Sequence, residues 1–591
     1  MPVFWVSEPR LNVRIEDEPL GYSPAVGKRV SFSLSYRQRG GVDLGPAVFG
    51  VGTNWSCSFR ACVVDLGRGN IRAHRGGAGF LDYSIGTPQF YDGSMATNVS
   101  NGYQIEYMDG SKDVFTNVYT DNFNVHYYFL TSQQDPSGNA TIYTYANSSN
   151  YVKLLSVQDP SGKTNLLFYE DTTWTNQITK VEDPFNRTTT LQYNTNGILA
   201  NITDVVGVST SFTYDPSNGR NWVTNMTTPY GPTSFRIGGL DADATEYSAT
   251  TNQVNRFVEV TLPNGGKELY LFRLDCSSLL SQTNSPFPNT TPLANTLDNV
   301  DQQNRNSFHW GPLQYTSLSS SYRSSGNVSN LNSADYALGR LRHWLAYPGT
   351  GTLLPSDALS LEQAPSPDGT TPGLFTWYDY DNKSGGVANY VGTGSRPSFV
   401  AIVLPDGATR FTHNTYGAHG ELTQETSTYT APDGSAGLRT STFVYAGNNI
   451  DLLQAIGPQS EQVISNYFNS APHLPDASYD ALNQETHYTY NTNFQITSVI
   501  RPTGLTTTNI YFTSGLDVGR LDTTIDLEIS RTNSFTYSNG LVYTHIDERG
   551  LKTTNFWDNL QRLTGVLYPD GTTISNFYTN LDLIVPPTKS A

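Results

Sequence analysis

The side chains best suited to chemistry in this 591-residue chain are nine histidines, three cysteines and 52 carboxylates. The histidines (His74, His126, His309, His343, His413, His419, His473, His487 and His545) are scattered along the sequence. A zinc protease needs two imidazoles one helical turn apart with a glutamate between them, and no HExxH occurs. Neither the GxSxG nucleophile turn nor a phosphate-cradling Walker loop is present. Cys57 and Cys62 lie five residues apart, so in one strand they face opposite sides. Cys276 is distant, and no CxxC pair exists to hold a metal. Asp379-Tyr-Asp381-Asn382 alternates oxygen ligands but lacks the glycine and distant glutamate of an EF-hand loop, so it reads as an acidic turn. Trp310, Trp344 and Trp377, with Tyr315, Tyr378 and Tyr380, offer faces on which a sugar can stack, but core packing is the simpler reading. Glycoside hydrolysis needs one carboxylate pair at a set separation, and the spacing singles out none. The expectation is no catalytic residue, no metal and no cofactor: not an enzyme.

What the sequence does contain is a repeated frame. From Asp135, Asp159, Asp183 and Asp204, the third residue onward is Gly138, Gly162, Asn186 or Gly207, and the tenth is Tyr145, Tyr169, Tyr193 or Tyr214. The frame returns at Asp480, Arg501, Asp547 and Tyr568, which lead to Asn483, Gly504, Gly550 and Gly571 and then to Tyr490, Tyr511, Trp557 and Tyr578. Looser copies start at Leu262 and Leu527. Aspartate opens a turn by bonding to backbone two residues on, proline presets φ at the next place, and glycine or asparagine accepts the left-handed conformation. The frame therefore predicts positive φ at the eight turn positions and a strand ending at each aromatic. The returning strand carries apolar pairs three apart (Leu154/Val157, Ile178/Val181, Leu199/Ile202, Ile496/Val499, Leu563/Val566). That spacing does not fit a period of two, and it predicts a bulge. A single hairpin is unstable alone, so the units must stack side by side into one sheet.

Composition agrees. Charged residues make up 15%, below the roughly 25% of ordinary soluble domains. Tyrosine numbers 37 and aromatics reach 12%, which favours pleated sheet over helix. A net charge of −17 argues against nucleic acid and against anionic membrane surfaces, both of which select lysine and arginine. No apolar run approaches the ~18 residues of a membrane span. The opening Met1-Pro-Val-Phe-Trp-Val-Ser-Glu-Pro-Arg10 has no basic segment and is not read as a signal peptide.

The frame resembles the YD repeats of the RHS family, which includes bacterial RHS proteins, the C components of Tc toxins and the teneurins. The resemblance covers about 125–275 and 400–580. Phe49-Gly-Val-Gly-Thr-Asn-Trp55 is similar to the G-x-G-W signature that precedes such repeats, and Asp109-Gly-Ser111 leading to Phe115 resembles the hairpin that follows it. The resemblance implies an all-β fold: tandem hairpins in a long spiralling sheet, part of a hollow shell. In bacterial members the shell commonly encloses a C-terminal toxic domain, released through a self-cleaving core segment. This sequence departs from that pattern by ending at Pro586-Pro-Thr-Lys-Ser-Ala591, and the expectation is a fragment of a longer, secreted or cell-surface protein. Asp135-Pro-Ser-Gly138 and Asp159-Pro-Ser-Gly162 superficially resemble a core motif, but both sit in the repeat frame and read as turns.

Four regions follow: an entry β region at 1–120, a repeat array at 121–275, a non-repeat insert or plug at 276–397, and a second array at 398–591. The insert is expected to hold a short helix over 334–347, capped by Ser333, with Ala334, Leu338, Leu341 and Leu345 on one face. The hairpin at 572–578 is expected to leave an uncovered sheet edge. Three functions are open: a shell or carrier segment enclosing a C-terminal effector, an adhesin or carbohydrate-binding scaffold contacting cell-surface glycans, and a glycan-active enzyme. A carrier predicts a continuation with cargo, an adhesin an anchor, and an enzyme a deep acidic cleft.

Overall fold

The computed structural model describes residues 1–9, 11–39, 44–77, 79–215, 221–238, 255–276, 284–286, 298–300, 302–346, 355–381, 392, 394–405, 409–584 and 588–590. Antiparallel hairpins dominate. From Met95–Val99 the strands pair each with the next through a first coil ending at Lys267–Asp275. The ladder continues through Asn304–Trp310, Arg340–Ala346, Pro355–Gln363 and Phe375–Asp379. It then enters a second coil that runs from Phe399–Val403 to Thr573–Ser575.

The turn chemistry explains the hairpins. At Asp183 the carboxylate Oδ1 accepts the N–H groups of Phe185 and Arg187, both at 3.0 Å. The same double acceptance recurs at Asp159, Asp204, Asp480 and Asp547. It fixes a turn whose fourth residue must be left-handed. Gly138, Gly162, Asn186, Gly207, Asn483, Gly504, Gly550 and Gly571 have φ of 91°, 83°, 59°, 84°, 58°, 84°, 78° and 80°. Where strand Ala140–Asn147 meets Val152–Gln158, Thr144 pairs with Ser156 but Tyr145 pairs with Leu154, so Leu155 is squeezed out as a bulge. Leu154 and Val157 are thereby turned to the same face and fully buried, while Leu155 is exposed. The bulge recurs opposite Tyr193, Tyr214, Tyr490, Tyr511 and Trp557.

The region 276–397 differs from the sequence expectation. It is not a plug outside the sheet, because four of its strands continue the ladder. The helix expected over 334–347 is only α3, Ser333–Ala337, following α1 (Pro312–Thr316) and α2 (Ser320–Ser325). Asn332 rather than Ser333 caps it, accepting from Ala334 and Asp335. Gly339 packs so close to the Trp310 ring that a β-carbon there would lie 2.8 Å from it. Beyond it, Arg340–Ala346 is a strand. Leu341 and Leu345 are four apart, a spacing that puts them on one face of a strand as well as of a helix.

A separate four-stranded sheet precedes the ladder: β1 Val3–Ser7, β2 Asn12–Tyr22, β3 Val30–Arg37 and β4 Trp55–Cys57. Its apolar side chains and those of the first coil form one core. At the other end, Thr573–Ser575 is not left uncovered, as expected from the sequence, because Thr588–Ser590 pairs along its outer side. No helix among the described residues is long and apolar enough to cross a membrane.

Candidate functional site: the tyrosine face and the seam

Each repeat aromatic performs the same local task. The hydroxyls of Tyr145, Tyr169 and Tyr193 donate to the carbonyls of Leu130, Leu154 and Ile178, at 2.7, 2.8 and 2.6 Å. Tyr214 donates in the same way to Leu199. In the second coil Tyr490, Tyr511 and Tyr578 donate to Pro475, Ile496 and Leu563. Trp557 fits the pattern because its Nε1–H replaces the phenol, 2.9 Å from the carbonyl of Val542. The acceptor in all eight lies fifteen residues earlier. These bonds span hairpin to hairpin, so the aromatics act as cross-ties on one face of the sheet.

That face is covered in the first coil. Tyr22 donates to Asp159 Oδ2 at 3.0 Å, Trp55 Nε1 donates to the Tyr214 hydroxyl at 2.9 Å, and the Tyr36 hydroxyl accepts the Val223 N–H at 2.9 Å. Trp55 and Phe212 meet at 4.9 Å between ring centres. Leu154, Val157, Ile178, Val181 and Leu199 are fully buried. Burial pushes the phenols of Tyr145 and Tyr193 far above their ordinary range. In the second coil Ile496, Val499, Leu521, Val542, Leu563 and Val566 are only half-buried. Tyr490 is pushed up to about 12, with desolvation the first cause.

The residue two before the aromatic marks the difference. In the first coil it is Tyr143, Leu167, Leu191 or Phe212, all buried. In the second coil it is Tyr488, half-buried, or Asn509, Asn555 or Asn576, and each of the three amides donates to the carbonyl that its neighbouring aromatic already caps. The carbonyls of Ile496, Val542 and Leu563 thus receive two side-chain donors each.

The two coils lie edge to edge. The edge of turns opened by the repeat frame in the first coil faces the opposite edge of the second. Contacts advance together along both: Ser395 N–H to the Phe90 carbonyl at 3.0 Å, Arg396 Nη2 to Met108 Sδ at 2.7 Å, the His473 ring against Gly110, Arg187 Nη1 to the Asn559 carbonyl at 2.8 Å, and Leu581 N–H to the Tyr230 hydroxyl at 3.0 Å. Two clefts interrupt this seam. One, of about 610 Å³, is lined by Val206, Ser209, Thr227, Arg562, Tyr578 and Asn580. The other, of about 500 Å³, lies among Phe90, Tyr91, Tyr380, Arg396, Tyr416 and His419.

Among the described residues no group of three or more histidine, cysteine or carboxylate side chains is arranged to hold a metal. Cys57, Cys62 and Cys276 are buried and unbridged, and burial raises the first two thiols to about 11 and about 12. Trp310, Trp344 and Trp377 are buried in the sheet's cores. Asp379 is buried and accepts the Tyr380 N–H, while Asn382 lies outside the described residues. The frame read from the sequence missed a second family of turns, on the edge after the aromatic. Asn194, Asn491 and Asp558 each accept two N–H groups there, and Gly197, Phe494 and Gln561 have φ of 73°, 61° and 64°. The signal was present in the asparagine or aspartate directly following Tyr193, Tyr490 and Trp557.

No family model matches the chain, and no curated protein matches it. Among solved structures, it is 10% identical to the TcdB2-TccC3 crystal structure, with a TM-score of 0.32 over 97% of this chain and 38% of that one. A TcdB2-TccC3-TEV crystal structure gives 10% identity and a TM-score of 0.38 over 96% and 37%. The Photorhabdus luminescens Tc holotoxin pore with a substituted TccC3 gives 10% and 0.38 over 96% and 36%. The chain thus spans under two fifths of the length of these chains.

Proposed function

We propose that this chain is a wall segment of a secreted carrier of the RHS type: it encloses or presents a further polypeptide segment, an effector, and turns over no substrate itself. The observation that carries the reading is the two-coil sheet with one coil packed solid and the other holding an uncovered, amide- and tyrosine-lined face. A protein whose task was only to be stable would cover that face, because half-buried Ile496, Val499 and Leu563 leave apolar area in water at roughly 25 cal/mol per Å². A wall needs one lined, unfilled side. The seam supports the same reading, because it joins successive coils without a linker.

The test is limited proteolysis of the natural polypeptide that contains this chain. A further segment that survives protease in native buffer, and is digested once the wall is unfolded in urea, supports the carrier. A natural polypeptide with no further segment, or one whose segment is cut equally fast in both states, contradicts it. A panel of polysaccharide, peptide and ester substrates should be left intact; turnover abolished by a single carboxylate substitution would overturn the non-catalytic part.

A further inference from the structure

Two turns of one kind meet across the seam: Asp183-Pro-Phe-Asn-Arg187 in the first coil and Asp558-Asn-Leu-Gln-Arg562 in the second. In each, Oδ1 of the aspartate takes the backbone N–H groups of the third and fifth residues, and Oδ2 takes the guanidinium of the fifth. The first pair is sealed from water, with side chains 4% and 0% exposed. Arg187 holds Oδ2 of Asp183 with Nε at 2.8 Å and Nη2 at 2.6 Å. Nη1 donates to the carbonyl of Asn559, inside the second turn, and Nη2 also donates to the carbonyl of Gly21 at 3.0 Å. One guanidinium therefore joins the first coil, the second coil and the N-terminal sheet. Arg562 repeats only the pairing within the turn: partly exposed, it pairs with Asp558, donates to the Asn580 carbonyl on its own side of the seam and lies 4.3 Å over the Tyr578 ring. Phe185 fills the space between, edge-on to Tyr22 at 5.3 Å and close against Gly540.

A seam between repeats has a particular weakness. Hairpins recur about every 9.5 Å along the sheet, twice the strand spacing. One coil can slide on the other by a whole hairpin and still find similar turn tips beneath it. Apolar tips such as Pro160 and Phe185 do not resist that slide, because the hydrophobic effect has no direction. A directional bond from a buried guanidinium does. Moved by one hairpin, the guanidinium keeps Asp183 but loses the Asn559 carbonyl while its Nη1 stays out of water, and a buried donor left without a partner is unfavourable. We propose that the Asp183–Arg187 turn, docked through Arg187 onto the Asn559 carbonyl of the facing Asp558–Arg562 turn, is a register lock, which sets which hairpin of the second coil lies over which hairpin of the first, and so sets the circumference of the coil. The lock rests on the seam geometry and is independent of what the wall encloses.

The test measures register directly in the full chain. Val206 and Asn580 line one cleft across the seam, so Val206→Cys with Asn580→Cys reports the native register through a short bifunctional thiol reagent. Asn201→Cys with Ser211→Cys, on paired strands of the first coil, reports integrity within a coil. Arg187→Met should lower the cross-seam yield at least about tenfold, because it removes the donor to the Asn559 carbonyl, and leave the within-coil yield unchanged, because the pairing of Asn201 with Ser211 does not involve Arg187. Arg187→Lys keeps the charge but replaces the planar fork by a point charge, and should lower the cross-seam yield by a smaller factor. If Arg187→Met does not fold, Arg187→Lys carries the test. An unchanged cross-seam yield, or a fall shared equally by the within-coil pair, overturns the register lock.

Discussion

The two coils are built on one frame and live in different environments. In the first, the tyrosine face is pressed onto β1–β4, and the side chains there are buried and apolar. In the second, the same face is half-exposed and carries asparagines that cap backbone carbonyls. Turn chemistry, bulge and aromatic cross-tie are common to both, so they make a hairpin a hairpin. The residue two before the aromatic is buried and apolar in the first coil, and in the second it is half-buried Tyr488 or one of three carbonyl-capping asparagines. An exposed carbonyl at a bulge can be left to water or capped by an amide, and capping by asparagine keeps the sheet edge-to-edge regular without adding apolar surface.

The comparison can be broken most forcefully at matched apolar positions. Leu199 and Ile496 both pair with a repeat tyrosine at the bulge. Leu199→Ala leaves a cavity in a sealed core and should cost about 2–5 kcal/mol. Ile496→Ala removes a half-exposed side chain and should cost about 1 kcal/mol. Denaturant titration of the two variants checks this, and equal losses would mean that the coils are equally packed.

A smaller effect, but one that sharpens the comparison, comes from exchanging the marker residue. Leu191→Asn places an amide in the covered core, where it forfeits apolar burial and its own hydration, and should destabilise by about 3 kcal/mol. Asn509→Leu should change stability by less than about 1 kcal/mol, because the Ile496 carbonyl keeps its bond from Tyr511. It should instead increase binding of an apolar dye. A strongly destabilised Asn509→Leu would show that the second face is not open to water.

The smallest difference concerns alkaline pH. Tyr490 is raised to about 12, and Tyr145 and Tyr193 further, with desolvation by burial the first cause in each. The native state therefore holds these protons where the unfolded chain releases them, above its ordinary tyrosine value near 10. Stability is full below about pH 10 and falls as pH rises toward the folded values. The first-coil variants Tyr145→Phe and Tyr193→Phe should flatten this loss more than Tyr490→Phe does, as read from thermal unfolding between pH 9 and 12, roughly spanning the unfolded and folded values.

Much of this was legible from residues alone. The eight turn positions, the aromatic at the tenth place and the bulge behind the Leu154/Val157 spacing each follow from local chemistry: side-chain-to-backbone bonds, the steric limits on φ, and the period of a strand. What was not legible depended on partners distant in sequence. Leu341 and Leu345 fit a helix face until Asn304–Trp310 and Pro355–Gln363 flank them as strands. The edge of Thr573–Ser575 looked open because Thr588–Ser590 carries little strand signal beside its prolines. The covering of the first coil by β1–β4 depends on contacts such as Tyr22 with Asp159 and Trp55 with Tyr214, between residues more than a hundred positions apart.

The central claim is that one tyrosine face is covered and its counterpart is open. Hydroxyl-radical footprinting of the intact chain, read residue by residue, tests it directly. Tyr145, Tyr169, Tyr193 and Tyr214, partly buried against the first coil's core, should resist oxidation, while Tyr490, Tyr511, Trp557 and Tyr578, whose apolar neighbours are themselves only half-buried, should be modified faster. Equal protection of both sets would mean that the second face is filled, equal reactivity would mean that the N-terminal sheet does not cover the first, and either result contradicts the account.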